Sequence, residues 1–337
     1  MRFLCLHGRG TNSDIFEFQL GEPRSFPASI PLKYILMAHE LAPLISRLSS
    51  EHTFDYVDAQ FEGHAAPGIG EVFSGPYFVW HEKYDPQSVE KVHDFIDTIL
   101  EEDGPYDGII GFSEGAALAA SYLLAKEYRA SLGDVAVDPE KEIKLAILFN
   151  SVKPYSPSEQ IGHDAAAEFQ RELRRHSLFL KGQNTARRQS SLSREDINAL
   201  TERRQSLLSQ RRESIVAWKT SGMPFRKASV ASSCEGELSS IDEKAQGVVW
   251  NSLFSPVFSF DPDSFPCKIQ IPTLNIIGLQ DQFQDYSREI VRFCDPDQTE
   301  VAFLDIGHDI PRAGLEFEKL LHSLELIFMM ASVGGAG

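Results

Sequence analysis

Cysteine is scarce in this chain: four in 337 residues, at Cys5, Cys234, Cys267 and Cys294. They are too few and too scattered for a disulfide scaffold, and the lack of any C-x-x-C excludes a zinc ribbon and a thioredoxin-like motif. No apolar run reaches the roughly 18 residues a membrane helix needs; the longest, Leu145–Phe149 and Leu324–Ala331, fall well short. Met1 and Arg2 lead directly into Phe3-Leu4-Cys5-Leu6 with no small-residue cleavage site, so a secretory signal is not expected and the expected compartment is the reducing cytoplasm. H-E-x-x-H and H-x-H are missing, so no metal site is expected. Basic charge is also short: 32 Lys and Arg against 49 Asp and Glu give −17. A general nucleic-acid or anionic-membrane binder needs the opposite sign.

What is present is an ordinary globular mixture, 42% hydrophobic and 24% charged, which excludes wholesale disorder. The charge is uneven. Arg171–Lys227 holds 14 Lys or Arg against 5 Asp or Glu, a local +9, so the remainder carries −26.

Apolar runs alternate with amphipathic ones. Strands are expected at Phe3–Leu6, Phe54–Val57, Tyr106–Gly111, Ile143–Asn150, Thr273–Gly278 and Glu300–Leu304. Helices are expected at Tyr34–Leu48, Ser88–Leu100, Glu114–Tyr128, Tyr286–Phe293 and Leu315–Met330. Ser88–Leu100 carries Val89, Val92, Phe95, Ile96 and Ile99 on one helical stripe. Such alternation implies an α/β fold with a mainly parallel sheet and helices on both faces. Tyr155–Gly247 breaks the rhythm: it is rich in Ser, Arg and Gln and has no strand-like run. Ser193 heads Ser-Arg-Glu-Asp, an N-cap signature, and Ile197, Leu200, Leu207, Leu208, Ile215 and Trp218 follow at roughly helical spacing. The expected organisation is a core in two parts, 1–154 and 248–332, interrupted by a basic, partly disordered lid insertion at 155–247.

The sharpest motif is Gly111-Phe112-Ser113-Glu114-Gly115. It matches G-x-S-x-G between a strand and a helix, the context of a nucleophile elbow. The turn strains the serine backbone, so its flanks must be small, and the helix N-terminus favours negative charge developing beside the serine. A serine hydroxyl is a poor nucleophile unless a base, held by an acid, removes its proton. On this kind of fold the chain order is Ser, acid, His. Only His308 and His322 lie beyond the last central strands; His308 follows a strand in a loop with Gly307 and Pro311, whereas His322 falls inside a helix. His308 is the candidate base. Asp281, on the loop after Thr273–Gly278, is the candidate acid, with Asp285 its main rival; Asp295, Asp297 and Asp309 read as turn or surface acids. The oxyanion hole needs two backbone N–H donors, expected from Glu114 and from Arg9 in Leu6-His7-Gly8-Arg9-Gly10.

Other features have plainer readings. Gly8 and Gly10 begin a dinucleotide fingerprint, but its third glycine is replaced by Ser13. His7 is expected to support its loop by hydrogen bonds. The aromatics Phe73, Tyr77, Phe78, Trp80 and Tyr84 either line an acyl pocket or pack the loop.

Taken together, Phe3–Thr11, Val57-Asp58-Ala59, Ala66-Pro67-Gly68-Ile69 with Pro76-Tyr77 and Trp80, Gly108–Gly115, Gly278–Asp281 and Gly307–Pro311 resemble the fungal serine hydrolase (FSH) family. That family of α/β hydrolases includes thioesterase-like enzymes of polyketide pathways and general carboxylesterases. The resemblance covers roughly 1–150 and 250–330. It implies Ser113, Asp281 and His308 as triad, Arg9 and Glu114 as oxyanion donors, no cofactor, and esters or thioesters of lipophilic acids as substrates. A polyketide synthase carrier domain is an expected partner on that basis. An acyltransferase and a non-catalytic binding protein are the competing classes. Gly21–His39 is extra relative to the family pattern, and the basic stretch is longer than its usual lid.

Overall fold

A computed structural model describes residues 1–21, 44–48, 51–133, 142–171 and 256–334. The chain divides into two compact units, Met1–Ala165 with Phe254–Gly337, and Ala166–Leu253. All the elements named here belong to the first. The helix expected from Ser193, the basic stretch beyond Arg171 and most of Gly21–His39 lie outside the described residues.

The first unit is a six-stranded parallel sheet in the order β10-β9-β6-β5-β1-β2. Its strands are β1 (Arg2–Leu6), β2 (Thr53–Val57), β5 (Gly108–Phe112), β6 (Leu145–Phe149), β9 (Thr273–Gly278) and β10 (Thr299–Leu304). Two short antiparallel pairs stand apart from it: β3 (Phe61–Gly63) with β4 (Tyr77–Val79), and β7 (His163–Asp164) with β8 (Phe258–Ser259). The helices are α1 (Ser13–Leu20), α2 (Pro86–Glu102), α3 (Glu114–Ser131), α4 (Gln284–Val291) and α5 (Gly314–Gly334), with a helical turn at Leu44–Arg47.

Side chains alternate across each strand, so both faces of the sheet need cover. Leu4, Leu6, Ile109, Ala146 and Leu148 pack with Val92, Ile96 and Ile99 of α2, the alanine-rich α3, and Ile290 of α4. Phe3, Cys5, Ile110, Phe112, Ile147, Phe149 and Ile276 pack with Phe16 and Leu20 of α1 and with Phe317, Leu320, Leu324 and Ile327 of α5. The α/β architecture with a parallel sheet is therefore as expected.

The chain first winds outward from β1 to β2, then returns to β1's other side and winds away through β5, β6, β9 and β10. The order thus reverses between β1 and β5. In open parallel sheets such a reversal leaves a crevice at the carboxyl ends of the strands. The loops after β1, β5, β9 and β10 carry Arg9, Ser113, Asp281 and His308.

Several features differ from expectation: the short strands β3, β4 and β8 were not expected, and of the expected helix Tyr34–Leu48 only residues 44–48 are described, with a turn at Leu44–Arg47. Helix α1 was not legible as an apolar stripe; Asn12 caps it, accepting the Ile15 N–H at 2.8 Å, and Gly21 closes it at φ 105°. The expectation of no strand within 155–247 is corrected by β7, which holds only two residues and so shows no periodicity. Around it, Ser156 N–H donates to Phe258 O and Ala165 N–H to Val257 O, both at 2.8 Å.

Ile96 is fully buried between α2 and the sheet, whereas Leu315 is 70% exposed at the start of α5. Ile96→Ala is expected to lower the unfolding free energy by about 2–5 kcal/mol, and Leu315→Ala to change it by about 0.5 kcal/mol or less. Urea titration of both variants tests this; equal losses would contradict the assigned core.

Candidate active site

Strand β5 runs into α3 through Ser113, which holds φ 55° and ψ −114°. Backbone this strained survives only where the surroundings impose it. Here they do. A Cβ on Gly111 would sit 2.5 Å from the Ala116 nitrogen, and one on Gly115 would sit 2.2 Å from the Leu6 carbonyl oxygen. A side chain at Gly115 would push α3 away from β1, and one at Gly111 would push the first turn of α3 away from β5. The Ser113 N–H is held by the Phe149 carbonyl at 2.9 Å, and its own carbonyl accepts the Ala117 N–H at 3.0 Å.

His308 stands in the loop after β10, where its Nε2 lies 2.8 Å from Ser113 Oγ and its Nδ1 lies 2.7 Å from Asp281 Oδ2. A carboxylate can only accept, so Nδ1 carries the proton and Nε2 presents a lone pair to the serine hydroxyl. The other Asp281 oxygen accepts the Phe283 N–H at 2.9 Å, and the side chain is wholly buried. Rings of Phe112 and Phe283 flank the imidazole at 5.0 and 5.2 Å between centroids. The three residues singled out from the sequence are therefore brought together. Asp285 is exposed on α4 and His322 is exposed on α5.

The loop after β1 lies beside the elbow: a Cβ on Gly8 would be 3.5 Å from Ser113 Cβ. Neither the Arg9 nor the Glu114 backbone N–H donates a hydrogen bond among the described residues. His7 supports this loop, as expected. The Ala59 N–H donates to its Nε2 at 3.1 Å, which leaves Nδ1–H to donate to the Gly8 carbonyl at 2.8 Å. Burial holds this imidazole below the usual histidine range. The aromatic residues divide among packing roles. Trp80 donates its indole N–H to the His7 carbonyl at 2.7 Å, Phe73 packs edge-on against Phe18, and Tyr77 donates to the Phe73 carbonyl.

The side chains of Glu114 and Arg9 form a network that a backbone-only reading of the motif overlooks. Glu114 is 3% exposed. Its carboxylate accepts from Arg9 Nη1 at 2.9 Å, the Tyr84 hydroxyl at 2.9 Å, the Trp80 N–H at 3.3 Å and the His81 N–H at 3.4 Å. His81 Nδ1 lies 3.4 Å from the same carboxylate, within ion-pair range but misaligned for a hydrogen bond. Burial pushes the Glu114 carboxyl up, but Arg9, His81 and Tyr84 outweigh it and bring it down to about 2. Burial likewise opposes the Arg9 charge, yet Tyr84 and Glu114 raise its pKa on balance. The available signal was an acidic residue opening an otherwise buried, alanine-rich helix, with an arginine in the adjacent loop. Among the described residues no group of three or more His, Cys, Asp or Glu is placed to hold a metal ion, and no helix is long and apolar enough to cross a membrane.

Because the folded carboxyl titrates at about 2 and an unperturbed one at 4.5, the stability from Glu114 is complete above that ordinary value. It is lost as pH falls through the folded value. Glu114→Gln is expected to cost about 2–3 kcal/mol at pH 7, and the gap from wild type should close steadily below pH 4.5. Urea titrations at several acidic pH values measure it; a gap independent of pH would rule out the charged role.

A profile of the serine hydrolase (FSH1) family matches residues 1–320. The chain is 25% identical over 314 residues to the esterase alnB of Emericella nidulans, across 93% of this chain and 91% of that one. It is 23% identical over 332 residues to the hydrolase FUB4 of Fusarium oxysporum f. sp. lycopersici, across 97% of each. It is 35% identical over 161 residues to the esterase FPY3 of Fusarium mangiferae, across 46% of this chain and 59% of that one. Among solved structures it is similar to the monoacylglycerol lipase of Paleococcus ferrophilus, at TM-score 0.42 and 12% identity, across 98% and 94% of the two chains. With a profile match reaching from its first residue to residue 320, the chain belongs to the serine hydrolase (FSH1) family and is an enzyme that cleaves ester bonds.

Proposed function

We propose that the enzyme hydrolyses an ester or thioester of a lipophilic carboxylic acid through an acyl-enzyme intermediate. The observation that carries this reading is the relay from Ser113 Oγ through His308 to Asp281, at 2.8 and 2.7 Å. Ser113 Oγ attacks the carbonyl carbon while His308 Nε2 takes the hydroxyl proton. The carbonyl oxygen becomes an oxyanion and receives the Arg9 and Glu114 N–H groups, each worth about 10²–10³ in rate. The helix N-terminus at Glu114 adds to that field. Asp281 holds Nδ1–H in place and stabilises the imidazolium. His308 then protonates the leaving alcohol or thiol, which departs and leaves the acyl group on Ser113. Water enters, gives a proton to His308 and attacks the acyl carbonyl. The carboxylic acid is released and Ser113 recovers its proton.

The half-buried apolar ring of Phe283 beside the imidazole supports a lipophilic acyl chain. The esterase names of similar proteins support an oxygen ester as one natural substrate. A thioester, free or on a carrier domain of a polyketide synthase, uses the same steps with a better leaving group.

A fluorophosphonate probe is expected to label the wild type and not Ser113→Ala. His308→Ala and Asp281→Asn should each lower kcat by about 10³–10⁴ or more, and the double variant should lose little beyond His308→Ala. Equal labelling of folded wild type and Ser113→Ala, or near-normal kcat in either single variant, would overturn the assignment.

A further inference from the structure

Strand β6 ends at Phe149, and Phe149 with the following Asn150 bonds to the segments on which Ser113, Asp281 and His308 stand. The Phe149 carbonyl accepts the Ser113 N–H at 2.9 Å. The Asn150 side chain reaches the other two. Its Oδ1 accepts the Gly278 N–H at 2.8 Å, three residues before Asp281. Its Nδ2 donates to the carbonyl of Asp309, directly after His308, at 2.7 Å. The amide has only one sensible orientation. Turned over, it would set its NH₂ against an N–H and its oxygen against a carbonyl.

The residue itself is unusual. Asn150 is fully buried and holds φ 43°, the left-handed region that asparagine tolerates better than most residues with a side chain. Its backbone N–H is tied to the Ile276 carbonyl at 2.9 Å. The strand is therefore fixed while the amide spans two loops. Those loops meet closely: a Cβ on Gly278 would lie 2.6 Å from the Gly307 carbonyl oxygen and 3.1 Å from Asn150 Oδ1. They are also joined directly, since Leu279 N–H donates to Leu304 O at 2.8 Å and Gln280 N–H to Ile306 O at 2.9 Å. Those bonds fix the acid loop against the base loop. The Asn150 amide fixes both against the end of β6, whose Phe149 carbonyl holds the Ser113 N–H.

We propose that Asn150 is a positioning residue: its side-chain amide sets where the Asp281 and His308 loops stand relative to Ser113. This inference rests on the triad reading above. It predicts an effect on turnover transmitted through the acid and base, because a misplacement of about 1 Å in a reacting group costs on the order of 10²-fold in rate.

The test uses the full chain and a p-nitrophenyl ester of a medium-length fatty acid. Asn150→Gly accepts the backbone conformation and loses both side-chain bonds. Asn150→Asp keeps the acceptor for Gly278 and turns the donor facing Asp309 into an acceptor. In both, the circular dichroism spectrum should match wild type, KM should stay within about threefold, and kcat should fall by about 10–100-fold. On a His308→Ala background, Asn150→Gly should cost less than about threefold, since neither the base nor the acid that orients it then acts. Wild-type kcat in a folded variant, an undiminished loss on the His308→Ala background, or failure of both variants to fold would overturn the proposal. Ser113→Ala assayed alongside separates the two levels. Its full activity would overturn the triad reading and this inference together, whereas an inactive Ser113→Ala beside an unaffected Asn150→Gly overturns the positioning role alone.

Discussion

The close approach of α3 to β1 is the constraint from which the site follows. At Gly115 the helix backbone comes so near the Leu6 carbonyl that a single added carbon would stand 2.2 Å from its oxygen. That contact drives the turn between β5 and α3 into the strained conformation of Ser113, φ 55° and ψ −114°. It also brings the loop after β1 beside the serine. One packing contact thus presents a hydroxyl at the sheet's carboxyl edge with Gly8 of the β1 loop against it. The strain is held by neighbours on three sides: the Phe149 carbonyl on the Ser113 N–H, the buried alanines of α3, and the hydrophobic clusters on both faces of the sheet. Such strain persists only where the surroundings over-determine it.

Glu114 and Arg9 add an electrostatic counterpart to that packing. The two residues proposed as oxyanion donors also extend side chains, and those side chains pair with each other at 2.9 Å. A buried carboxylate needs compensation. Here it comes from a guanidinium, a phenol and two backbone N–H groups, all from loops that follow β1 and β4. The consequence is mechanical: the β1 loop cannot drift from the elbow without leaving a charge unpaired. The network also places one negative charge in the first turn of α3, and Arg9 offsets it.

Much of this was legible in the sequence because the chemistry is local. G-x-S-x-G between a β-type and an α-type run locates the elbow. The Ser, acid, His order leaves few candidates, and His308 and Asp281 follow from lying just after apolar runs. The strand Thr273–Gly278 coincides with its apolar run because both its faces are buried. Boundaries suffered where another force sets the start. Helix α2 begins at Pro86 because Asp85 caps it, accepting the Ser88 N–H at 3.1 Å, whereas its apolar stripe begins only at Val89. The two-residue strands β7 and β8 have no period to detect. The role of Asn150 could not be read either: the apolar run was expected to carry the strand through Asn150, whereas the strand stops at Phe149, and the partners of Asn150 lie 128 and 159 residues away. The Glu114 side chain was hidden differently, since the motif directs attention to its backbone.

The account depends on a covalent acyl group passing through one oxygen atom. The most direct measurement is an acid quench of the wild-type enzyme during turnover of a lipophilic p-nitrophenyl ester, followed by peptide mapping in a mass spectrometer. The account predicts one added acyl mass, on the peptide carrying Ser113 and at that residue. An acyl group mapped to any other residue would contradict it. So would sustained turnover with a p-nitrophenol burst equal to the enzyme concentration and an unmodified Ser113 peptide.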